Sequence, residues 1–134
     1  MTNHPKIFFF KESSWEPVVE CDGNNLMYSV PVACGHFDKT LRFSISQEEF
    51  EVLKCDEERR YFLYAVLHCH YQSRPRAKAP QVDPHIQQVL FGTISEVEKL
   101  MCLRDAEHNG AVSNLVRVYM GRDQSMMRSG RWFK

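Results

Sequence analysis

The sequence predicts an α+β fold in which a small antiparallel sheet packs against three or more helices. Short β-prone segments separated by turn residues occupy positions 6–45. From position 46 onward, apolar residues recur at helical spacing and follow residues that cap helices. With 134 residues the chain fits one ordinary domain, and we expect residues 1–134 to fold as a single unit.

The amino-terminal strands are expected to form a meander. Three segments, Lys6–Phe10, Trp15–Cys21 and Leu26–Ala33, are rich in β-branched and aromatic residues. The turn Asp22-Gly23-Asn24-Asn25 separates the second segment from the third, and these residue types tolerate the positive φ of a hairpin. Apolar and polar residues alternate over 41–45, which predicts a sheet with one buried face and one wet face.

Two helices are predicted to follow the strands directly. Ser46 and Glu49 have the spacing of a capping box, which predicts a helix over 47–54. Asp56 is a second N-cap residue, and acids follow it where the helix dipole favours negative charge. We therefore expect a second helix over 57–72.

The second helix carries two stripes of large side chains. One stripe has the spacing of a core-facing surface and consists of Phe62, Ala65, Val66 and Cys69. The other consists of Tyr61, Tyr64, His68 and Tyr71. Its members fit the margin of a core, because Tyr and His are often only partly buried. They also fit a recognition face, because tyrosines give a large contact area at low entropic cost.

A proline-rich segment interrupts the helical pattern. Residues 73–84, SRPRAKAPQVDP, hold three prolines and three cations, which predicts an exposed loop. The loop ends at Asp83-Pro84, a cap residue followed by a proline that suits the first helical position. A third helical stretch should begin there.

The remaining chain is predicted less directly. Gly92 interrupts an apolar stripe over 86–101, so one helix bends there or two helices meet, with Ser95 and Glu98 as a possible capping box. Residues 111–121 fit a strand or a last helix, and their β-branched content favours the strand. The tail at 121–134 is basic, and we expect it to fray.

Composition narrows the class of protein. Seventeen cations balance seventeen anions, which argues against general binding to nucleic acid or to a membrane surface. Five cysteines at wide spacings without a CxxC pair fit a reduced, cytoplasmic compartment. The only apolar run near the start is four residues long, so we expect neither a signal peptide nor a membrane span.

The sequence favours a protein without catalytic activity, metal or cofactor. Cys34-Gly35-His36 and His68-Cys69-His70 are the close Cys/His clusters, and neighbouring side chains on a helix point about 100° apart. No hydrolase or nucleotide-binding motif occurs. A small hydrolase or nuclease remains the alternative. It would use Cys34 or a convergence of the histidines His4, His68, His70, His85 and His108.

Acidic residues are concentrated at the start of the two central helices. Between positions 47 and 58 there are six acidic residues and one lysine. They fit a solvated helix face, or a docking surface that steers a basic partner. On the second interpretation we expect partner binding by Glu48, Glu51, Glu57, Glu58, Tyr61, Tyr64 and His68. A structural or regulatory oligomer that uses the same helix is a further alternative.

The segment FSISQEEFEVLKCDEERRYFLYAVLH, residues 43–68, resembles small bacterial immunity proteins, which neutralise polymorphic or contact-dependent toxins. Those chains often place strands before two helices of the pattern Ser-x-x-acid-(Phe/Leu) and acid-x-x-Arg-x-x-Leu-x-x-x-Leu-His. The resemblance implies a cytoplasmic protein that binds a cognate toxin domain, often a nuclease, and blocks its active site. It covers only the central part of the chain.

Overall fold

The predicted antiparallel meander is confirmed in the computed structural model, which describes residues 6–10, 16–34, 37–74 and 80–134. The strands are β1 (Lys6–Phe9), β2 (Val18–Asp22), β3 (Asn25–Cys34) and β4 (Phe37–Ile45). They form one sheet in the order β1-β2-β3-β4, and each neighbouring pair is antiparallel. Gly23, in the turn between β2 and β3, has a φ of 61°, as the hairpin requires.

Six helices follow the sheet within the described residues. They are α1 (Gln47–Cys55), α2 (Glu57–Gln72), α3 (Pro84–Phe91), α4 (Ile94–Glu107), α5 (Ala111–Met120) and α6 (Gln124–Arg128). Helix α2 contacts β3 and also α1, α3, α4 and α5, so it lies at the centre of the fold. The four-stranded sheet and these helices confirm the predicted α+β class. None of the described helices has the length and apolar character that crossing a membrane requires.

One face of the sheet is buried against the helices. Val19, Tyr28 and Phe43 lie opposite one another on three successive strands, and all three side chains are buried. On β4, Leu41, Phe43 and Ile45 are buried, whereas Arg42 is exposed. This alternation confirms the predicted sheet with one buried face.

The caps of the two central helices are confirmed. The Ser46 hydroxyl accepts a hydrogen bond from the Glu49 N–H at 3.1 Å, and the Glu49 carboxylate accepts one from the Ser46 N–H at 2.8 Å. The Asp56 carboxylate accepts from the Arg59 N–H at 3.1 Å. The amino-terminal end of each helix is thus capped by a residue that bonds to the residue three positions further on. Helix α2 spans residues 57–72, as predicted.

Two helices meet at Gly92, but the predicted cap of the second one is wrong. Helix α4 begins at Ile94, and its capping box is formed by Thr93 and Glu96 instead of Ser95 and Glu98. Gly92 has an extended backbone, so the chain has already turned before Thr93. The Glu98 carboxylate instead accepts the Trp132 N–H at 2.6 Å.

The strand favoured for residues 111–121 is also wrong, because this segment is helix α5. Val112 and Val116, one helical turn apart, are both buried, whereas Val118 is 61% exposed. This i, i+4 burial against the rest of the core outweighs the weak β preference of the valines. Ser113 lies inside the helix, which begins after Gly110 at a φ of 85°.

The carboxy-terminal tail is ordered, which corrects the expectation that residues 121–134 fray. Residues 124–128 form α6, and Met127 and Trp132 are buried.

In the predicted loop at 73–84, residues 80–82 are exposed as expected, but Asp83 is buried. Residues 75–79 of that loop lie outside the described residues.

Candidate functional site

Three of the four predicted carboxylates lie on the protein surface. Glu48 and Glu51 are exposed on α1, and Glu57 is exposed at the start of α2. Glu51 accepts hydrogen bonds from Lys54 at 2.9 Å and from Gln47 at 3.0 Å. The bond from Lys54, followed by that from Gln47, lowers the pKa of Glu51. All three acids are exposed, on two helices that follow one another in the chain and pack together.

Glu58 has a different environment from the other three acids. One of its carboxylate oxygens accepts from the Arg122 guanidinium at 2.6 Å and from the Lys134 N–H at 2.8 Å. It thereby links the start of α2 to the carboxy-terminal tail. Its carboxylate is occupied by groups of its own chain, which the sequence did not indicate.

Tyr61 and Tyr64 lie inside the protein. Each is only 4% exposed, which corrects the expectation that their rings supply contact area to a partner. The cause is α5, because its Tyr119 stacks on Tyr61 at 5.7 Å and meets Tyr64 edge-on at 5.4 Å. The Tyr61 hydroxyl donates to a Glu16 oxygen at 2.9 Å. The interpretation as a core margin describes this face correctly.

His68 is the half-exposed member of the stripe that Tyr61, Tyr64, His68 and Tyr71 form on α2. It lines a pocket of about 220 Å³ between α2, α5 and the sheet, together with Tyr64, Tyr119 and residues 31–33. Its Nδ1 atom is buried and has no hydrogen-bond partner within the described part of the chain. Burial lowers the pKa of His68, so the imidazole is neutral at pH 7.

Phe8 of strand β1 lies beside α1. Its ring is 38% exposed and meets Phe50 of α1 edge-on at 5.3 Å. Ile7 is 50% exposed, but it pairs with Glu20 and points to the other face of the sheet, because neighbouring side chains on a strand alternate. Strand β1 lies at the edge of the described sheet. The run KIFFF was the available sequence signal, but hydrophobicity alone does not distinguish an edge strand from a buried one.

A second candidate site lies where α2 ends and α3 begins. The His85 Nδ1 atom is 2.8 Å from one Asp83 oxygen, and the Tyr71 hydroxyl donates to the other at 2.5 Å. Burial opposes the ionisation of Asp83, but the hydrogen bonds from His85 and Tyr71 outweigh it and lower its pKa to about 2. The His70 ring lies 5.3 Å from the His85 ring.

The partners of these two imidazoles set their tautomers. Asp83 is ionised and can only accept, so the Nδ1 of His85 carries a proton, and in the neutral ring the lone pair lies on Nε2. The Arg74 guanidinium can only donate, and it lies 3.2 Å from the Nδ1 of His70. Neutral His70 therefore carries its proton on Nε2. Burial, with a smaller effect of Arg74, lowers the pKa of His70.

The cysteines give weaker candidates. Cys34 is half-buried, but Gly35 and His36 lie outside the described residues, as does His4. Cys69 is buried on α2, and burial raises the pKa of its thiol to about 11, which disfavours a nucleophilic thiolate. Among the described residues, no group of three or more His, Cys, Asp or Glu is placed to hold a metal ion.

Comparison with known proteins finds no matching family model, no matching curated protein and no matching solved structure.

Proposed function

We propose that this protein is a cytoplasmic, non-catalytic binding protein, and most concretely an immunity protein that binds and blocks a cognate bacterial toxin domain. One observation carries the proposal. Helix α1 carries the exposed acids Glu48 and Glu51, and through Phe50 it contacts the partly exposed ring of Phe8 on the edge strand. The resemblance of residues 43–68 to immunity proteins supports the same conclusion.

The proposed binding surface differs from the one that the sequence indicated. It keeps Glu48, Glu51 and Glu57, which would steer a basic partner such as a nuclease domain during encounter. Phe8 replaces the buried tyrosines as the apolar contact. Apolar contacts at the centre of an interface hold a complex together, whereas charges at the rim mainly set its rate of formation.

The proposal predicts that a toxin gene neighbours this one, and the toxin domain that it encodes is the probe for the experiment. That domain should arrest growth when expressed alone and should not do so when this protein is co-expressed. Surface plasmon resonance should show that Glu48→Lys slows association roughly 3- to 10-fold at low salt. Glu107→Lys is the matched control, since Glu107 is an exposed acid at the end of α4 and its reversal changes the net charge equally.

Two results would contradict this proposal. Growth arrest that persists despite expression of the folded protein would exclude neutralisation. Equal slowing by Glu48→Lys and Glu107→Lys would show that net charge, and not the α1 surface, governs the encounter.

A small hydrolase or nuclease is the second candidate, and the pairing of His70 with His85 favours it. In RNA cleavage by transesterification, a base removes the 2′-hydroxyl proton as the 2′ oxygen attacks phosphorus. An acid then protonates the departing 5′ oxygen. The lone pair on Nε2 of neutral His85 fits the base. The acid would be the imidazolium form of His70, which carries protons on both ring nitrogens. Because burial lowers the pKa of His70, this form is populated at a more acidic pH than in a free histidine.

Hydrolysis of a fluorescent RNA oligonucleotide tests this second candidate. His70→Ala and His85→Ala should each lower the rate by roughly 100-fold or more, because each removes a proton-transfer step. His68→Ala, on the same helix as His70 but outside the pair, should leave the rate unchanged. An RNA cleavage rate no higher than that of buffer would overturn the candidate.

A further inference from the structure

Aromatic rings surround the pocket between α2, α5 and the sheet. Tyr64, His68 and Tyr119 all line it. The Tyr64 ring meets His68 at 5.7 Å with an interplanar angle of 84°, and meets Tyr119 at 5.4 Å with an angle of 65°. Three rings thus line one small cavity, and Tyr64 meets each of the other two at a steep angle. Ring faces carry partial negative charge, and cages of this kind bind organic cations.

The charges around the pocket have the sign that a cation needs. Asp38 is exposed and supplies the only carboxylate among the lining residues. None of the ion pairs between described residues involves Asp38. The ammonium group of its neighbour Lys39 instead lies over the Tyr71 ring and donates to the Arg74 carbonyl. His68 adds no positive charge at pH 7, because burial lowers its pKa.

The size of the pocket limits the ligand. A volume of about 220 Å³ is below the roughly 300–1,000 Å³ of pockets that enclose drug-sized molecules. It suits a small head group or the end of one side chain. The buried Nδ1 atom of His68 has no hydrogen-bond partner among the described residues. A polar ligand in the pocket would give this atom one.

We propose that this pocket binds an alkylammonium cation, with the rings of Tyr64, His68 and Tyr119 around it and the Asp38 carboxylate as its counter-charge. The site does not depend on the proposed toxin-binding surface, which uses α1, the first residue of α2 and β1. The cation can come from a free small molecule or from a lysine side chain of a bound protein, and both present the same chemistry to the pocket.

An NMR titration of the ¹⁵N-labelled protein tests the proposal with choline and its uncharged isostere, 3,3-dimethyl-1-butanol. Choline should shift the amide signals of Val32, Ala33 and His68 and bind roughly five-fold or more tightly than the isostere. A third probe, Nα-acetyl-lysine methylamide, distinguishes the sources. Tighter binding than choline supports a protein side chain, and weaker binding supports a free cation.

Two variants identify the residues responsible. Asp38→Asn should weaken choline binding roughly five-fold, because it removes the counter-charge from an exposed position. Asp22→Asn is the matched control, an exposed aspartate on β2 that does not line the pocket. Tyr119→Leu should remove the preference for choline over the isostere. Equal binding of choline and the isostere, or equal effects of the two aspartate variants, would overturn the proposal.

Discussion

Replacing Trp132 by alanine is expected to lower the free energy of unfolding by about 3–5 kcal/mol, as for other large aromatic residues in protein cores. Trp132 is 1% exposed, although it lies two residues from the end of the described chain. Its indole meets Phe62 of α2 edge-on at 5.9 Å, and its Nε1 donates to the Cys102 sulfur at 3.3 Å. Urea denaturation followed by far-ultraviolet circular dichroism measures the loss.

Two control variants test whether the loss of stability comes from removing the indole of Trp132. Trp132→Phe keeps an apolar ring and should cost clearly less than Trp132→Ala. Arg131→Ala changes an exposed neighbour and should stay within about 0.5 kcal/mol of the wild type. If Trp132→Ala were as mild as Arg131→Ala, the tail would not belong to the core.

The sequence did not indicate the order of the tail because the contacts that fix it are distant in the chain. Glu58 receives bonds from residues 64 and 76 positions away. The Glu98 carboxylate accepts from Trp132, 34 positions further on. Composition and local pattern describe a basic segment, and only the folded structure shows which carboxylates meet it.

The caps of α1 and α2 were predicted correctly, because the contacts that form them are local in the chain. Ser46 with Glu49, and Asp56 with Arg59, form bonds across three residues, so a short sequence window contains both partners. The same holds for Asp83, which caps α3 as predicted. At α4 two capping pairs overlapped in the sequence, and the position of the turn at Gly92 selected Thr93.

In the candidate site, too, the sequence predicted the environment of some residues and not that of others. The exposure of Glu48, Glu51 and Glu57 agrees with their charge, because ionisable side chains are rarely buried without a partner. The burial of Tyr61 and Tyr64 depends on Tyr119, because α5 covers this face of α2. Helical periodicity indicates which residues share a face, but not which faces another helix will cover.

The second large effect is expected at Asp83, where alanine should lower the free energy of unfolding by about 2–4 kcal/mol at pH 7. Its carboxylate is 3% exposed and accepts from the His85 N–H at 2.8 Å, from the His85 ring and from the Tyr71 hydroxyl. Loss of an N-cap costs about 1 kcal/mol. Leaving the buried Tyr71 and His85 donors without an acceptor costs about 1–3 kcal/mol more.

The pH dependence of stability separates the charge of Asp83 from its packing. Its pKa is about 2 in the folded protein and about 3.9 in an unfolded chain. The unfolded state therefore binds the proton first as the pH falls. The contribution of the ionised carboxylate, about 2.5 kcal/mol, is present above pH 4 and is lost between pH 4 and pH 2.

Asp83→Asn should remove this acid-dependent loss while keeping a residue that caps helices. The difference in unfolding free energy between wild type and Asp83→Asn should thus shrink by about 2 kcal/mol from pH 6 to pH 2. Asp123→Asn is the control, because Asp123 caps α6 from an exposed position and its contribution is screened by solvent. A difference that stays constant with pH would mean that Asp83 stabilises the protein through packing and neutral hydrogen bonds alone. The tautomer assigned to His85 would then lose its basis, because that assignment requires an ionised Asp83.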